Sequence, residues 1–157
     1  MELSAREIAQ AVNGALYGDG TAASVSTDSR TLEPGSLFVP LVGERFDGHA
    51  YLDAALDRGA AGCLCARLPE ERRGDRFYIQ VADTRPALKA LASWYRDRFH
   101  IPFVQITGSV GKTTTKEMVA AVLSRRFRVH KTAGNLNNDI GVPPTLYGLE
   151  PRHQAAV

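Results

Sequence analysis

An α/β fold built on a mostly parallel sheet is what this 157-residue sequence predicts, and three observations carry that reading. Short apolar runs of strand character alternate with stretches of helical period along the whole chain. A glycine-rich turn at 107–114 lies between one such run and a helix. Composition is that of an ordinary folded domain, 44% hydrophobic and 23% charged. With 19 Lys and Arg against 17 Asp and Glu, the net charge of +2 excludes a polybasic nucleic-acid arm. No run approaches the roughly 18 apolar residues of a membrane helix. The opening Met-Glu-Leu-Ser-Ala-Arg-Glu lacks the apolar core of a signal peptide. A soluble, cytosolic chain is expected, with neither nucleic acid nor membrane as partner.

The elements follow in order. Ser4 and Glu7 form an S-x-x-E capping box, with Leu3 placed to staple onto Ile8. Ala5, Ile8, Ala9 and Val12 make one helical stripe, ended by Asn13-Gly14. Strand-like pieces follow around Val25 and at 37–39, separated by the turn signature Pro34-Gly35. Residues 42–49 read as a polar loop and 51–58 as a short helix closed by Gly59. Strands are expected at 62–66 and 77–81, joined by a charged loop over 67–76 in which Arg67, Arg72, Arg73 and Arg76 mix with Glu70, Glu71 and Asp75. Asp83-Thr84 and Pro86 start a helix running to about Phe99, and His100 and Pro102 mark a junction between domains.

Beyond the junction, 103–106 read as a buried strand, about 113–126 as a long helix, 127–130 as a strand and 143–149 as a short helix. Cys63 and Cys65, two positions apart on one strand, share a face in parallel, a poor geometry for a disulfide. They read as small buried hydrophobes. His100, His130 and His153 lack metal-ligand spacing and read as surface or capping residues, and Trp94-Tyr95 as core and rim.

Thr107-Gly108-Ser109-Val110-Gly111-Lys112-Thr113-Thr114 has the context of a phosphate loop, strand before and helix after. Glycines let the backbone turn its N–H groups toward phosphate oxygens, and the helix adds its positive end. Lys112 is placed to bridge the β- and γ-phosphates, and the Thr113 hydroxyl to ligate Mg²⁺. The spacing is the short G-x-x-G-K-T-T: the general pattern wants glycine six residues before the lysine, where this chain has Ile106.

Three more stretches carry a family resemblance. They are Ser26-Thr27-Asp28-Ser29-Arg30 with Pro34-Gly35-Ser36-Leu37-Phe38-Val39, then Gly43-Glu44-Arg45-Phe46-Asp47-Gly48-His49, and Gly134-Asn135-Leu136-Asn137-Asn138-Asp139-Ile140-Gly141-Val142-Pro143. With the phosphate loop and its Thr-Lys-Glu-Met continuation, they closely resemble the Mur ligases of peptidoglycan synthesis, in collinear order over essentially the whole chain. The resemblance implies a UDP-N-acetylmuramoyl-peptide-binding α/β domain at 1–100 and the truncated start of a central ATP-binding domain at 101–157.

It implies ATP and Mg²⁺ as cofactors, with UDP-N-acetylmuramoyl-tripeptide and D-alanyl-D-alanine as substrates joined through an acyl phosphate, in an enzyme that is monomeric at full length. Gly108 to Thr114 would hold the nucleotide, with Lys112 catalytic and Thr113 on the metal. Ser26, Thr27, Asp28, Ser29 and Arg30 would meet the sugar nucleotide. Arg45, Phe46, Asp47, Gly48, His49, Asn135 and Asn138 would line the substrate side. On chemistry alone, Asp28 and Arg30 also suit a turn with a structural ion pair, His49 a solvated loop position, and the asparagines simple turns.

The family's later metal-binding acid, adenine contacts and closing domain are missing from the sequence. An amino-terminal piece that does not ligate by itself is therefore expected. The Thr-Gly-Ser-x-Gly-Lys form of the loop departs from the Thr-Asn-Gly-Lys typical of the family member that adds the third amino acid. That sister family member and a non-catalytic nucleotide-binding regulator remain the alternatives. A P-loop kinase or GTPase lacks support, since no Asp-x-x-Gly or Asn-Lys-x-Asp occurs.

Overall fold

The computed structural model describes residues 2–134 and 141–157, in two compact units, Met1–Trp94 and Tyr95–Val157. The first unit begins with β1 (Leu3–Ser4) and α1 (Ala5–Val12). The capping box forms as expected: the Ser4 hydroxyl accepts from the Glu7 N–H at 3.2 Å, and the Glu7 carboxylate accepts from the Ser4 N–H at 3.0 Å. Asn13 ends the helix in the left-handed region at φ 51°, which asparagine tolerates better than most residues.

A five-stranded sheet follows, from β2 (Ala15–Tyr17), β4 (Ser24–Ser26), β5 (Ser36–Phe38), β6 (Gly62–Cys65) and β7 (Phe77–Gln80), in the order β2-β7-β6-β5-β4. All neighbours are parallel except β2, which runs antiparallel along β7. The separate strand β3 (Thr21–Ala22) pairs with β1. A 3-10 turn (Gly48–Tyr51) and α2 (Leu52–Asp57) connect β5 to β6. The mixed α/β class with a mostly parallel sheet is thus observed.

Every residue of β6 is buried, as a parallel strand covered on both faces must be. Cys63 and Cys65 pack with Phe38, Leu52, Leu56 and Tyr78, and both are free thiols. Burial pushes the Cys65 thiol up to about 11 and the Cys63 thiol higher still, so both stay protonated and unreactive near neutrality. α3 (Thr84–Asp97) leaves the sheet with the Thr84 hydroxyl donating to the Pro40 carbonyl at 2.7 Å.

The second unit holds the end of α3, then α4 (Lys112–Leu123), β8 (Val129–His130), α5 (Val142–Tyr147) and β9 (Ala155–Ala156). β8 and β9 are parallel. Tyr95 is buried here; its hydroxyl donates to the Leu149 carbonyl at 2.8 Å, and its ring lies 5.3 Å from Phe99.

One expectation is corrected. Residues 103–106 form a single parallel bridge, Phe103 to Ala156, with Val104 exposed. β9 is only two residues long, so the ladder gives Gln105 and Ile106 no partner, whatever their strand propensity. No helix among the described residues is long and apolar enough to cross a membrane.

Candidate functional site

Parallel strands that add side by side end along one edge, where ligands of α/β sheets bind. β4, β5 and β6 therefore deliver residues 26–30, 39–49 and 66–73 to a common edge of the first unit. At the end of β4, the Ser26 hydroxyl accepts from the Asp28 N–H at 3.2 Å. Asp28 in turn accepts from the Arg30 N–H, from its Nε at 2.9 Å and from a terminal nitrogen at 2.7 Å. This fork on a carboxylate holds the Asp28 carboxyl down at about 2. The Arg30 side chain is 86% exposed, so the tight turn presents its guanidinium outward. Thr27 and Ser29 flank it, half-buried, and Tyr51 is near enough to interact with the Arg30 charge.

The 42–49 stretch is more ordered than a polar loop. Val42 and Asp47 form an antiparallel bridge, with the Gly43 N–H donating to the Phe46 carbonyl at 2.9 Å. Arg45 and Phe46 are exposed at the tip. Asp47 caps the 3-10 turn by accepting from the His49 N–H at 2.9 Å. Gly48 is demanded by space: a Cβ there would sit 2.8 Å from the Leu41 backbone nitrogen and oxygen.

His49 is not solvated. Its side chain is 7% exposed, Nδ1 meets the Asp47 carboxylate at 2.7 Å, and Nε2 accepts from the Ala66 N–H at 2.9 Å. That pairing fixes the neutral ring with its proton on Nδ1, and burial lowers its pKa. Asp47 also meets Arg67, so one carboxylate ties the ends of β5 and β6 together.

Beside this cluster lies a cavity of about 930 Å³ lined by His49, Asp53, Arg67, Glu70, Arg72 and Arg73 among others. The sequence reads 67–76 as a solvated charge mixture. In the structure Arg73 pairs with Asp57 at 2.7 Å and Arg72 stacks 4.7 Å from the Tyr17 ring. Their partners lie 16 and 55 positions back along the chain, beyond the reach of a local pattern.

In the second unit, Gly111 stands at the N-cap of α4 with φ 80°, a conformation glycine adopts without steric cost. No side chain caps this end, and the first N–H groups of any α-helix have no intrahelical partner. Thr107 to Gly111, Thr113 and Thr114 are exposed, Val110 almost fully. Lys112 folds back so that Nζ donates to the Gly108 carbonyl at 2.7 Å, closing the loop on itself.

Sequence reasoning missed Lys116. It is 8% exposed, and Nζ donates to the carbonyls of Thr132 at 2.7 Å and Gly134 at 2.8 Å. The signal was its place one turn after Lys112, on the same helix face. Asn135 and Asn138 lie outside the described residues. The His130 and His153 rings lie 5.0 Å apart, tilted by 48°, and meet backbone groups of 145 and 150. Among the described residues no group of His, Cys, Asp or Glu is arranged to hold a metal.

Family models match the chain twice: the Mur ligase family catalytic domain at residues 21–96 and the Mur ligase middle domain at 106–157. The chain belongs to the Mur ligase family. The UDP-N-acetylmuramoyl-tripeptide–D-alanyl-D-alanine ligase of Synechocystis is 48% identical over 135 residues, covering 85% of this chain and 30% of that protein.

Among solved Mur ligases, the UDP-N-acetylmuramoylalanyl-D-glutamyl-2,6-diaminopimelate–D-alanyl-D-alanyl ligase of Acinetobacter baumannii superposes with TM-score 0.92 at 36% identity, over 100% of this chain and 36% of that one. The MurF ligase of Thermotoga maritima, solved with ADP, gives 0.75 at 31% identity, over 85% of this chain and 31% of that one. The chain thus spans about a third of the length of the relatives it matches.

Proposed function

We propose that this chain provides the sugar-nucleotide-binding unit and the phosphate loop of an ATP-dependent ligase that joins D-alanyl-D-alanine to UDP-N-acetylmuramoyl-tripeptide, a step of cytoplasmic cell-wall precursor synthesis. The observation that carries the reading is collinearity: both family models and the relatives match in one order over nearly all of the chain. The exposed helix end behind Gly111 supports it, since its first N–H groups have no side-chain cap and face a site where phosphates are favoured.

In this reading the Lys112 ammonium exchanges the Gly108 carbonyl for the β- and γ-phosphate oxygens of ATP. There it neutralises charge as the γ-phosphoryl group passes to the tripeptide carboxylate. The resulting acyl phosphate is attacked by the dipeptide amine, and the tetrahedral intermediate expels phosphate. Mg²⁺ fits only as a companion of the nucleotide: Thr113 offers one hydroxyl, and Mg²⁺ sites of this kind are completed by phosphates and water. Gly108, Ser109, Val110, Gly111 and Thr114 enclose the phosphates through the backbone. Ser26 to Arg30 and Arg45 to His49 form the sugar-nucleotide side, with His49 shaping it from beneath through Asp47.

Calorimetric titration tests this reading. The chain is expected to bind UDP-N-acetylmuramoyl-tripeptide, with affinity about tenfold weaker or worse in Arg30→Ala, the loss of a charge-assisted contact. Tight Mg·ATP binding with no sugar-nucleotide signal would overturn it in favour of a nucleotide-binding regulator.

A further inference from the structure

A lysine on a helix ordinarily keeps its charged head in water, and Lys116 does not. Its three ammonium protons meet the Thr132 carbonyl, the Gly134 carbonyl and, at 3.2 Å, the Glu117 carboxylate. Glu117 also pairs with Lys131, and its carboxyl is held below the usual range first by Lys131 and then by Lys116. Three side-chain contacts thus run from one turn of α4 to residues 131–134, the strand exit that leads into Asn135. Thr132 is held from its other side, its N–H donating to the Val157 carbonyl at 3.0 Å.

Lys112 and Lys116 lie four residues apart, hence on one face of α4. Lys112 serves the loop that precedes the helix and Lys116 the loop that follows β8. From this geometry we infer that Lys116 is a positioning residue: it fixes the segment after β8 on the phosphate-loop helix, so that phosphate binding at 108–114 is felt at 132–134. The tie stands on the contacts alone; its bearing on substrate placement rests on the ligase reading above.

The test uses the isotopically labelled 157-residue chain as wild type, Lys116→Met and Lys116→Arg, with Mg·ADP as probe. Without ligand, amide exchange at Thr132 and Gly134 is expected to rise at least about tenfold in Lys116→Met. Exchange in the α4 interior and the first unit should hold steady, and Lys116→Arg should recover part of the protection. On titration of wild type, amides at 108–114 and at 132–134 should shift along one isotherm. In Lys116→Met the first set still shifts and the second no longer follows. Unchanged exchange at 132–134, or wild-type shifts confined to 108–114, would overturn the inference. If 108–114 give no response to Mg·ADP, the nucleotide reading of this chain fails, and the exchange comparison decides the tie by itself.

Discussion

The two units use the same alternation of strand and helix and arrive at different interiors. In the first, the sheet is five strands wide, and Leu37, Cys63, Leu64 and Cys65 have no exposed surface. In the second, β8 and β9 pair over two positions, and α4 buries only Lys116 and Ala120 while Met118 and Val122 stay 64% and 71% exposed. Periodicity sets what a segment becomes; burial depends on how many neighbours the sheet supplies. The polar tie from Lys116 thus holds the second unit where apolar packing is thin.

The sharpest challenge to that contrast is truncation. Leu64→Ala is expected to cost about 2–5 kcal/mol, the range for emptying a packed site. Val122→Ala should stay within about 0.5 kcal/mol. Urea unfolding of both variants measures the difference, and equal losses would erase the contrast. Next in size, Ser4→Ala removes half of the capping box and should cost about 1 kcal/mol in the same assay.

A pH series separates the units further. His49 is held neutral by burial, so its folded pKa lies below its unfolded value. The stability it contributes is complete above about pH 6.5 and is lost as pH falls through the lower folded value. His49→Gln should flatten that loss in the first unit, as read by melting at pH 7.5 and 5.5; an unchanged slope would assign the pH response elsewhere. Smallest of all, Arg30→Ala should leave folding unaltered while the Asp28 carboxyl returns from about 2 toward 3.8, visible in a carboxyl NMR titration.

Much of this fold was legible in local signals. The capping box, Asn13-Gly14, the helical stripes and the buried cysteines each report their own neighbourhood. β1, β2 and β3, each two or three residues long, were not legible. The stretch 103–106 shows the reverse failure, strand propensity without a long enough neighbour. At the site, the glycine-rich turn announced itself, whereas Lys116 and the bridging role of His49 depend on partners 16 to 18 positions away.

The bond from Lys112 to Gly108 has one more consequence. One of the three ammonium protons is already given to a neutral carbonyl, so on the proposed reading phosphate would compete for that donor. A weak or singly charged anion gains little by displacing that carbonyl, whereas a polyphosphate offering several oxygens at once gains much. On the proposed reading, the resting loop would thereby favour a nucleotide's chain of charge over the dilute monovalent anions around it.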